Sequence, residues 1–436
     1  MSDVEQRSEA QEVFDPYRRD TRKKHLSDFK SFMNLVKSAA GTGLFAMPNA
    51  FASVGMIVGI IGTILMGILI TIALHLLMMT HCDLCKIKRR RAIPYDQIVA
   101  TTMTSGIMRG KVSAGTASLV IDIIMLACYI GIGAVYIVFV SGIIQDLVDQ
   151  GKTIGQPYYV LILFPLFLLL NLIRGLNAIA PISIIGNVLI IVAALIGVVY
   201  AVIKSESDWV YVQKDYYKYP KFLGTIFFAL SSPALALAIQ QDMREPQHFT
   251  RKCGVLNWGM GTLIFMHVII GIVGYAKYGS SVTGNFVQNH LSLDTVTSIA
   301  LGVQALAIFF SYGLQCFLPI SILHKDYAVR SIQDGFLKGT PYFWNIMIRI
   351  AVTLLTCVLA ASIPQLHIFT SFVGALCVAT LGFIVPVIVF MISHHGKYGR
   401  CKWKLILSIF ILILGAIAMI LATISSIKST FDYLKE

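Results

Sequence analysis

Two stretches of the chain place glycine, serine and proline inside long apolar segments. The first runs from Lys37 to Pro48 and reads KSAAGTGLFAMP, and the second runs from Thr225 to Ala236 and reads TIFFALSSPALA. In a helix interior Gly costs about 1 kcal/mol and Pro about 3 kcal/mol relative to Ala. Pro233 also leaves the carbonyl of Ala229 without its helical donor. Both stretches therefore predict a helix that is broken near its middle.

Such breaks predict the chemistry of a ligand. Unpaired backbone groups at membrane depth persist only where they are buried in protein or line a cavity. A half-helix that starts near Gly43 presents free N–H groups, which suit a carboxylate. The carbonyls around Leu230 to Ser232 suit an ammonium group, so a zwitterion such as an amino acid would satisfy both. The alternative is that Gly41 and Gly43 only allow close helix packing.

The composition is that of a membrane protein. Of 436 residues, 56% are hydrophobic and 13% are charged, about half the charged share of a soluble protein. At ~20 residues per crossing, the apolar residues suffice for roughly ten to twelve spanning helices, which excludes a soluble enzyme. Residues 1–30 are polar, lack the apolar core of a signal peptide and are expected to form a cytosolic tail.

Hydropathy predicts an all-α polytopic membrane protein with eleven transmembrane helices. The expected spans are 31–55, 56–80, 114–146, 157–173, 179–203, 222–241, 253–276, 295–323, 343–363, 366–391 and 405–427. The transporter domain is thus 31–427, with helices 1–5 in 31–203, helices 6–10 in 222–391, helix 11 in 405–427, and a tail in 428–436. The two breaks fall in helices 1 and 6, which indicates a five-plus-five inverted repeat with one added helix.

Positive charge predicts the orientation. Counted over the loops and tails between these spans, 25 of the 35 Lys and Arg residues fall in segments on the N-terminal side of the membrane and 8 on the other side. This bias places the N-terminus in the cytosol. The net charge of +13 is thus explained by topology, and we expect no nucleic acid partner.

Several other polar residues lie within the spans. Asp122 is either a functional carboxylate, and so the candidate for proton coupling, or the partner of Lys37 or Arg349 in a structural pair. Tyr129 and Tyr136 share one face of helix 3 and face either the site or lipid. Three histidines are expected to lie near the membrane interfaces rather than to carry protons: His75, His267 and His367.

Cysteine spacing predicts no metal site. Cys82 and Cys85 have CxxC spacing, but a structural zinc site needs a second pair, and the sequence has none. We therefore expect neither a metal nor a cofactor. The expected partners are the lipid bilayer and a small-molecule substrate, together with protons if one residue couples transport to proton movement.

Several fragments together resemble the amino acid/auxin permease family, and within it the animal proton-coupled amino acid transporters. They are KSAAGTGL at 37–44 with PNA at 48–50, GT at 224–225, MREP at 243–246, APIS at 180–183 with Asn187, YGLQ at 312–315 with Pro319, and GY at 274–275 with YG at 278–279. The resemblance covers the whole chain. It implies the inverted-repeat fold and amino acid transport at a lysosomal (vacuolar) or plasma membrane.

With the resemblance, the candidate substrate site has three parts. It comprises Ser38, Gly41, Thr42, Gly43 and Leu44 in helix 1, Leu230, Ser231, Ser232 and Pro233 in helix 6, and Tyr136, Tyr312 and Gln315 from helices 3 and 8.

One departure from the family concerns coupling. Where the family usually carries a glutamate after the Phe of helix 6, this chain has Ser231, which cannot exchange a proton at working pH. We expect weak proton coupling unless another group has taken this role. Three functions compete: a secondary active or facilitative transporter of small neutral amino acids, an amino acid sensor of the same fold, and a membrane enzyme. An enzyme would need a cluster of catalytic side chains near one interface, which the sequence lacks.

Overall fold

A computed structural model defines the backbone for most of the chain. It describes residues 15, 17, 25–104, 113–149, 153–203, 208–230, 232–282, 285, 295–336, 338–362, 366–396 and 402–435. Of these, the side chains of 200–203, 366–368, 430 and 432–435 are left undescribed. Ser231 and the side chain of His367 therefore lie outside the described part.

The described chain is helical, and its only β-type pairing is one bridge between Leu26 and Met243. The helices of the first half are α1 Asp28–Ala39, α2 Thr42–Val54, α3 Met56–Lys88, α4 Tyr95–Thr104, α5 Ala114–Val148, α6 Gln156–Asn171 and α7 Leu176–Ile203. Those of the second half are α8 Tyr219–Leu230, α9 Pro233–Asp242, α10 Val255–Tyr278, α11 Thr295–Ile322, α12 Val329–Gln333, α13 Pro341–Ser362, α14 Leu366–Val373, α15 Val385–Ser393 and α16 Trp403–Lys435.

Three π-helical segments interrupt this pattern: Leu323–Ala328 after α11, and Gly374–Val378 and Thr380–Ile384 between α14 and α15.

The all-α membrane fold is confirmed. Within the described ranges, nine helices are long and apolar enough to cross a membrane, and α6, with 16 residues, is apolar but shorter. The first span is divided into the short helices α1 and α2. The count of eleven crossings stays a prediction.

Both predicted breaks are present. Helix 1 is interrupted at Ala40 and Gly41, and helix 6 is interrupted between Leu230 and Pro233. Gly41 precedes α2 in a conformation with φ −128° and ψ −139°, and Pro233 is the first residue of α9, the position where its missing N–H costs least. The half-helices α2 and α8 pack against each other, so the two breaks belong to one central region.

Some boundaries differ from the expected ones. Helix α3 continues to Lys88, and the following segment, expected to be a loop, contains α4. Helix α16 continues to Lys435 through the residues that were expected to form a tail. Charged residues at these helix ends lie beyond the apolar windows, and hydropathy therefore marks the spans better than the helix ends.

One end of the bundle is closed by main-chain hydrogen bonds. The N–H groups of Met56 and Ile57 donate to the carbonyls of Val210 and Tyr211 at 3.0 Å each, and the Gln213 N–H donates to the Val54 carbonyl at 2.9 Å. Gly55 makes this junction possible, because it has φ +91° and a Cβ there would lie 2.7 Å from the Tyr211 carbonyl oxygen. We call this end the outer end, because the positive-charge bias predicts that it faces away from the cytosol.

At the opposite end, the chain before α1 pairs with the end of helix 6. The Leu26 N–H donates to the Asp242 carbonyl at 2.8 Å, and the Arg244 N–H donates to the Leu26 carbonyl at 2.9 Å. The His248 ring lies 2.7 Å from a carboxylate oxygen of Asp28 and 2.9 Å from one of Glu245. The inner ends of α1 and α9 are thus joined.

Candidate functional site

The break in helix 1 is covered by side chains of α5 and α11. A Cβ on Gly41 would overlap the hydroxyl of Tyr136, so the tyrosine lies directly against the glycine backbone. The Gln315 amide donates to the Ser38 carbonyl at 2.6 Å and to the Tyr136 hydroxyl oxygen at 3.4 Å. The Ser38 carbonyl, near the end of α1, thus accepts a hydrogen bond from another helix. The last carbonyls of a helix need such partners because they have no donor within the helix.

The N-terminal end of α2 is polar and buried. The first N–H groups of a helix have no acceptor within it, and here the Leu44 N–H donates to the carbonyl of the capping residue Gly41 at 3.2 Å. The Thr42 hydroxyl is buried, and neither it nor the Gln315 side-chain oxygen has a hydrogen-bond partner among the described residues. Two donors or acceptors are thus available beside a helix N-terminus.

The break in helix 6 is covered by a second tyrosine of α5. The Leu235 N–H, in the first turn of α9, donates to the Tyr129 hydroxyl oxygen at 3.3 Å. Ser232, immediately before α9, is 6% exposed. The structure therefore decides between the two positions left open for the tyrosines: both are buried and face the breaks rather than lipid.

Among the described residues, the side chains at the two breaks carry no charge. The side chains placed at the breaks are serine, threonine, glutamine and tyrosine. Lys37 is close in sequence, but its ammonium group donates to the Ala307 carbonyl on α11 and lies against Gly186 on α7. The break regions therefore offer dipoles and hydroxyl groups to a ligand.

Gly43 lies at a helix contact. A Cβ on Gly43 would lie 2.6 Å from Cα and 2.8 Å from Cβ of Ala229 on α8. Gly43 thus allows close packing of two helices, which was the alternative to a role at the break, whereas Gly41 lies at the break itself.

Three other candidate residues contact other helices or lie in the apolar core. The Tyr312 hydroxyl lies 2.7 Å from the Thr356 hydroxyl on α13 and accepts from the Asn171 amide at 3.4 Å. Leu230 is buried and lies near the position that a Cβ on Gly67 of α3 would occupy. Leu44 is fully buried in the apolar core. These side chains contribute to packing around the site.

A cavity of about 480 Å³ opens toward the inner side. Its lining includes Met125, Ala234 and Leu318 on three helices, each within about one helical turn of Tyr129, Ser232 or Gln315. Its mouth is lined by Arg174, Asp242 and Lys325, among others.

Asp122 does not pair with either predicted cation. Its carboxylate accepts a hydrogen bond from the Tyr327 hydroxyl at 2.9 Å, and Tyr327 belongs to the π-helical segment that follows α11. Arg349 instead donates to the carbonyls of Asn171 and Ile173, where it caps the end of α6. The predicted structural pairs are therefore wrong.

Two of the three histidines lie within long helices, and their position relative to the membrane interfaces stays a prediction. His267 lies in the middle of α10, is fully buried, and has Nδ1 2.7 Å from the Leu263 carbonyl oxygen. His75 lies in the interior of the 33-residue helix α3, with Nε2 2.7 Å from the side-chain oxygen of Asn257. Helix α3 extends farther than hydropathy suggested, to Lys88, whereas α10 has nearly its expected bounds.

Sequence reasoning missed the role of Tyr129 as a cap on α9. It also considered Lys37 only as a partner of Asp122. The seven-residue spacing of Tyr129 and Tyr136 on one helix could have indicated the role of Tyr129. A lysine within an apolar span could have indicated that Lys37 needs attention in its own right.

The chain resembles amino acid transporters over nearly its whole length. It is 26% identical to the proton-coupled amino acid transporter-like protein pathetic of Drosophila melanogaster, with 98% of this chain and 90% of that protein covered. It is 27% identical to vacuolar amino acid transporter 3 of Schizosaccharomyces pombe, with 91% of this chain and 57% of that protein covered.

The fold is that of a solved transporter. The crystal structure of MhsT in complex with L-phenylalanine matches with a TM-score of 0.58 and 13% identity, covering 93% of this chain and all of that one. Residues 24–428 match the family described as transmembrane amino acid transporter protein, which confirms a transporter rather than a membrane enzyme. The chain therefore belongs to the family of transmembrane amino acid transporter proteins.

Proposed function

We propose that the protein carries small neutral amino acids across a membrane through a site between the two helix breaks. The observation that carries this proposal is the pairing of each break with one tyrosine of α5, Tyr136 at Gly41 and Tyr129 at the start of α9. The first turn of α2 would bind the substrate carboxylate. The last carbonyls of α8 would bind its ammonium group.

The preference for neutral substrates follows from charge. A zwitterion places one charge at each helix end, and an additional side-chain charge would need a partner that the serine, threonine, glutamine and tyrosine side chains at the breaks do not supply. The preference for small substrates follows from the contact between Gly41 and Tyr136, which leaves little room at the first break.

The conformation fits an inward-facing state of alternating access. The inner cavity ends about one turn from the breaks, while main-chain pairing closes the outer end. We place the N-terminus in the cytosol because of the positive-charge bias. The vacuolar name of one relative favours a vacuolar or lysosomal membrane over the plasma membrane.

The test is exchange of labelled alanine in proteoliposomes made with the purified protein. We expect unlabelled glycine, alanine and serine inside the vesicles to drive uptake of external label. Glutamate, lysine and tryptophan inside should not. Empty liposomes are the control. Binding of alanine without any exchange would instead indicate a sensor of the same fold, and failure to bind any neutral amino acid would contradict the proposal.

A further inference from the structure

Lys37 is an ammonium group buried where three helices meet. The residue is fully buried near the end of α1, and its Nζ donates to the Ala307 carbonyl on α11 at 2.9 Å. A Cβ on Gly186 of α7 would lie 2.6 Å from Nζ, so the glycine leaves the space that the ammonium group occupies. The group lies one helical turn from the break at Gly41.

No carboxylate of the described residues pairs with this lysine. Lys37 takes part in none of the ion pairs found there. Helices α7 and α11 carry no acidic, basic or histidine residue. The ionisable groups on the helices packed against α1 are Tyr200, Tyr312, Cys316, His267, Tyr275, Lys277, Tyr278, Asp242, Tyr219 and Lys221, together with Asp28 and Lys30 of α1 itself.

An unpaired buried ammonium group costs several kcal/mol. Its two remaining N–H donors have no protein acceptor in the described part of the chain. A lysine removes this cost by giving up its proton, which arginine cannot do.

Unsatisfied polar atoms continue from Lys37 toward the inner side. Both side-chain polar atoms of Asn34, the Ser183 hydroxyl and the Asn187 side-chain oxygen are buried and have no partner among the described residues. Asn34 lies one turn before Lys37 on α1, and Ser183 lies one turn before Gly186 on α7. The Asn187 amide donates to the Met33 carbonyl at 2.8 Å, which fixes these two faces against each other.

Buried polar groups without protein partners are ordinarily satisfied by water. The polar face of α1 and α7, defined here as the α1–α7 seam of Asn34, Ser183 and Asn187, therefore has the composition of a hydrated path. Both helices begin at the inner end, so the seam extends from Lys37 toward the cytosolic side.

We propose that Lys37 is the proton-carrying residue of the transport cycle and that the α1–α7 seam connects it to the cytosol. In the step toward the cytosol, one Nζ–H bond breaks, its electron pair stays on nitrogen, and the proton passes to a water molecule in the seam. The neutral amine takes up a proton from the other side before the next cycle. This assignment rests on the proposed function and supplies the coupling group that the helix-6 break lacks.

The test compares two activities of the same proteoliposomes. Alanine exchange at equal pH measures the substrate site alone. Accumulation of alanine driven by a gradient of one pH unit measures coupling and reaches about tenfold for one proton per cycle. A pH dye inside the vesicles reports the proton that enters with alanine.

We expect Lys37→Gln to exchange alanine but to lose accumulation and the dye response. Lys30→Gln, which removes a lysine from the cytosolic end of the same helix, should keep both. Full accumulation by Lys37→Gln, or no accumulation by the unmodified protein, would overturn the proposal. In the second case, exchange would still support the proposed function.

A second variant decides the matter if Lys37→Gln does not fold. Asn34→Leu removes both unpartnered polar atoms of the seam with little change in volume and leaves Lys37 in place. We expect its accumulation to slow at least severalfold while exchange continues. Accumulation and dye response at the unmodified rate in this variant would overturn the proposal.

Discussion

Tyr129 and Tyr136 lie two turns apart on one face of α5, and their hydroxyl groups reach the two different helix breaks. Tyr136 lies against Gly41 before α2, and Tyr129 accepts from the Leu235 N–H at the start of α9. A single helix thus contacts both ends of the candidate site. A substrate that displaces either hydroxyl group would therefore change a contact made by the same helix, α5.

Removing the Tyr136 hydroxyl should weaken substrate binding. Tyr136→Phe removes an acceptor of the Gln315 amide and a polar group beside the first break. One neutral hydrogen bond contributes about 0.5–1.5 kcal/mol, so we expect KM for alanine exchange to rise roughly two- to tenfold. Tyr158→Phe, at a position that is 64% exposed on α6, is the control. An unchanged KM in Tyr136→Phe would place the substrate elsewhere.

Replacing Gly43 should separate two helices. In Gly43→Ala the new Cβ would lie 2.6 Å from Cα of Ala229, so α2 and α8 must move apart. We expect most alanine exchange to be lost and the melting temperature to fall by several degrees, as for an overpacked core. The matched control is Gly302→Ala in α11, where a Cβ meets nothing within 4 Å.

The double variant Gly43→Ala with Ala229→Gly tests the cause. Removing the Ala229 side chain relieves one of the two close contacts, so exchange should recover in part. No recovery, together with a normal melting temperature in Gly43→Ala, would contradict helix separation and would favour a direct contact of Gly43 with substrate.

Asp122 and Tyr327 should behave as one unit. Asp122→Asn and Tyr327→Phe each disrupt the same hydrogen bond, which joins α5 to the π-helical segment after α11. We expect both variants to change the rate of alanine exchange by a similar factor and to keep accumulation driven by a pH gradient. Asp96 and Asp326 lie at the same inner end and stay unchanged in both.

The opposite pattern would identify a different proton carrier. Loss of accumulation in Asp122→Asn, with normal accumulation in Tyr327→Phe, would show that the carboxylate itself exchanges the proton. The assignment of Lys37 would then be wrong.

Glycosylation tests the orientation. Leu291→Thr completes an acceptor sequence with Asn289 and His290 in the loop predicted to be outside. Lys338→Asn completes one with Gly339 and Thr340 in the loop predicted to be inside. We expect microsomes to modify only the first variant, seen as a mass shift that an amidase removes. Modification of the second variant alone would reverse the topology.

The sequence predicts the breaks but not the contacts around them. Gly41 and Pro233 have local conformational effects, so their consequences can be read without the rest of the fold. The partners of Lys37, Asp122 and Gly43 depend on how helices rotate and pack. Tyr327 reaches Asp122 from a π-helical turn, which has no clear sequence signal.

The main-chain pairing at the outer end also affects which conformation is most populated in the absence of substrate. If the outer side opens by separating 210–213 from 54–57, three hydrogen bonds are exchanged for bonds to water. At about 1 kcal/mol each, the outward-open form would be roughly a hundredfold rarer than the closed one. The apparent affinity for a substrate arriving from that side falls by the same factor. Without substrate, the protein would therefore be mostly open to the inner side, and substrate on the outer side would bind only to a rarely populated conformation.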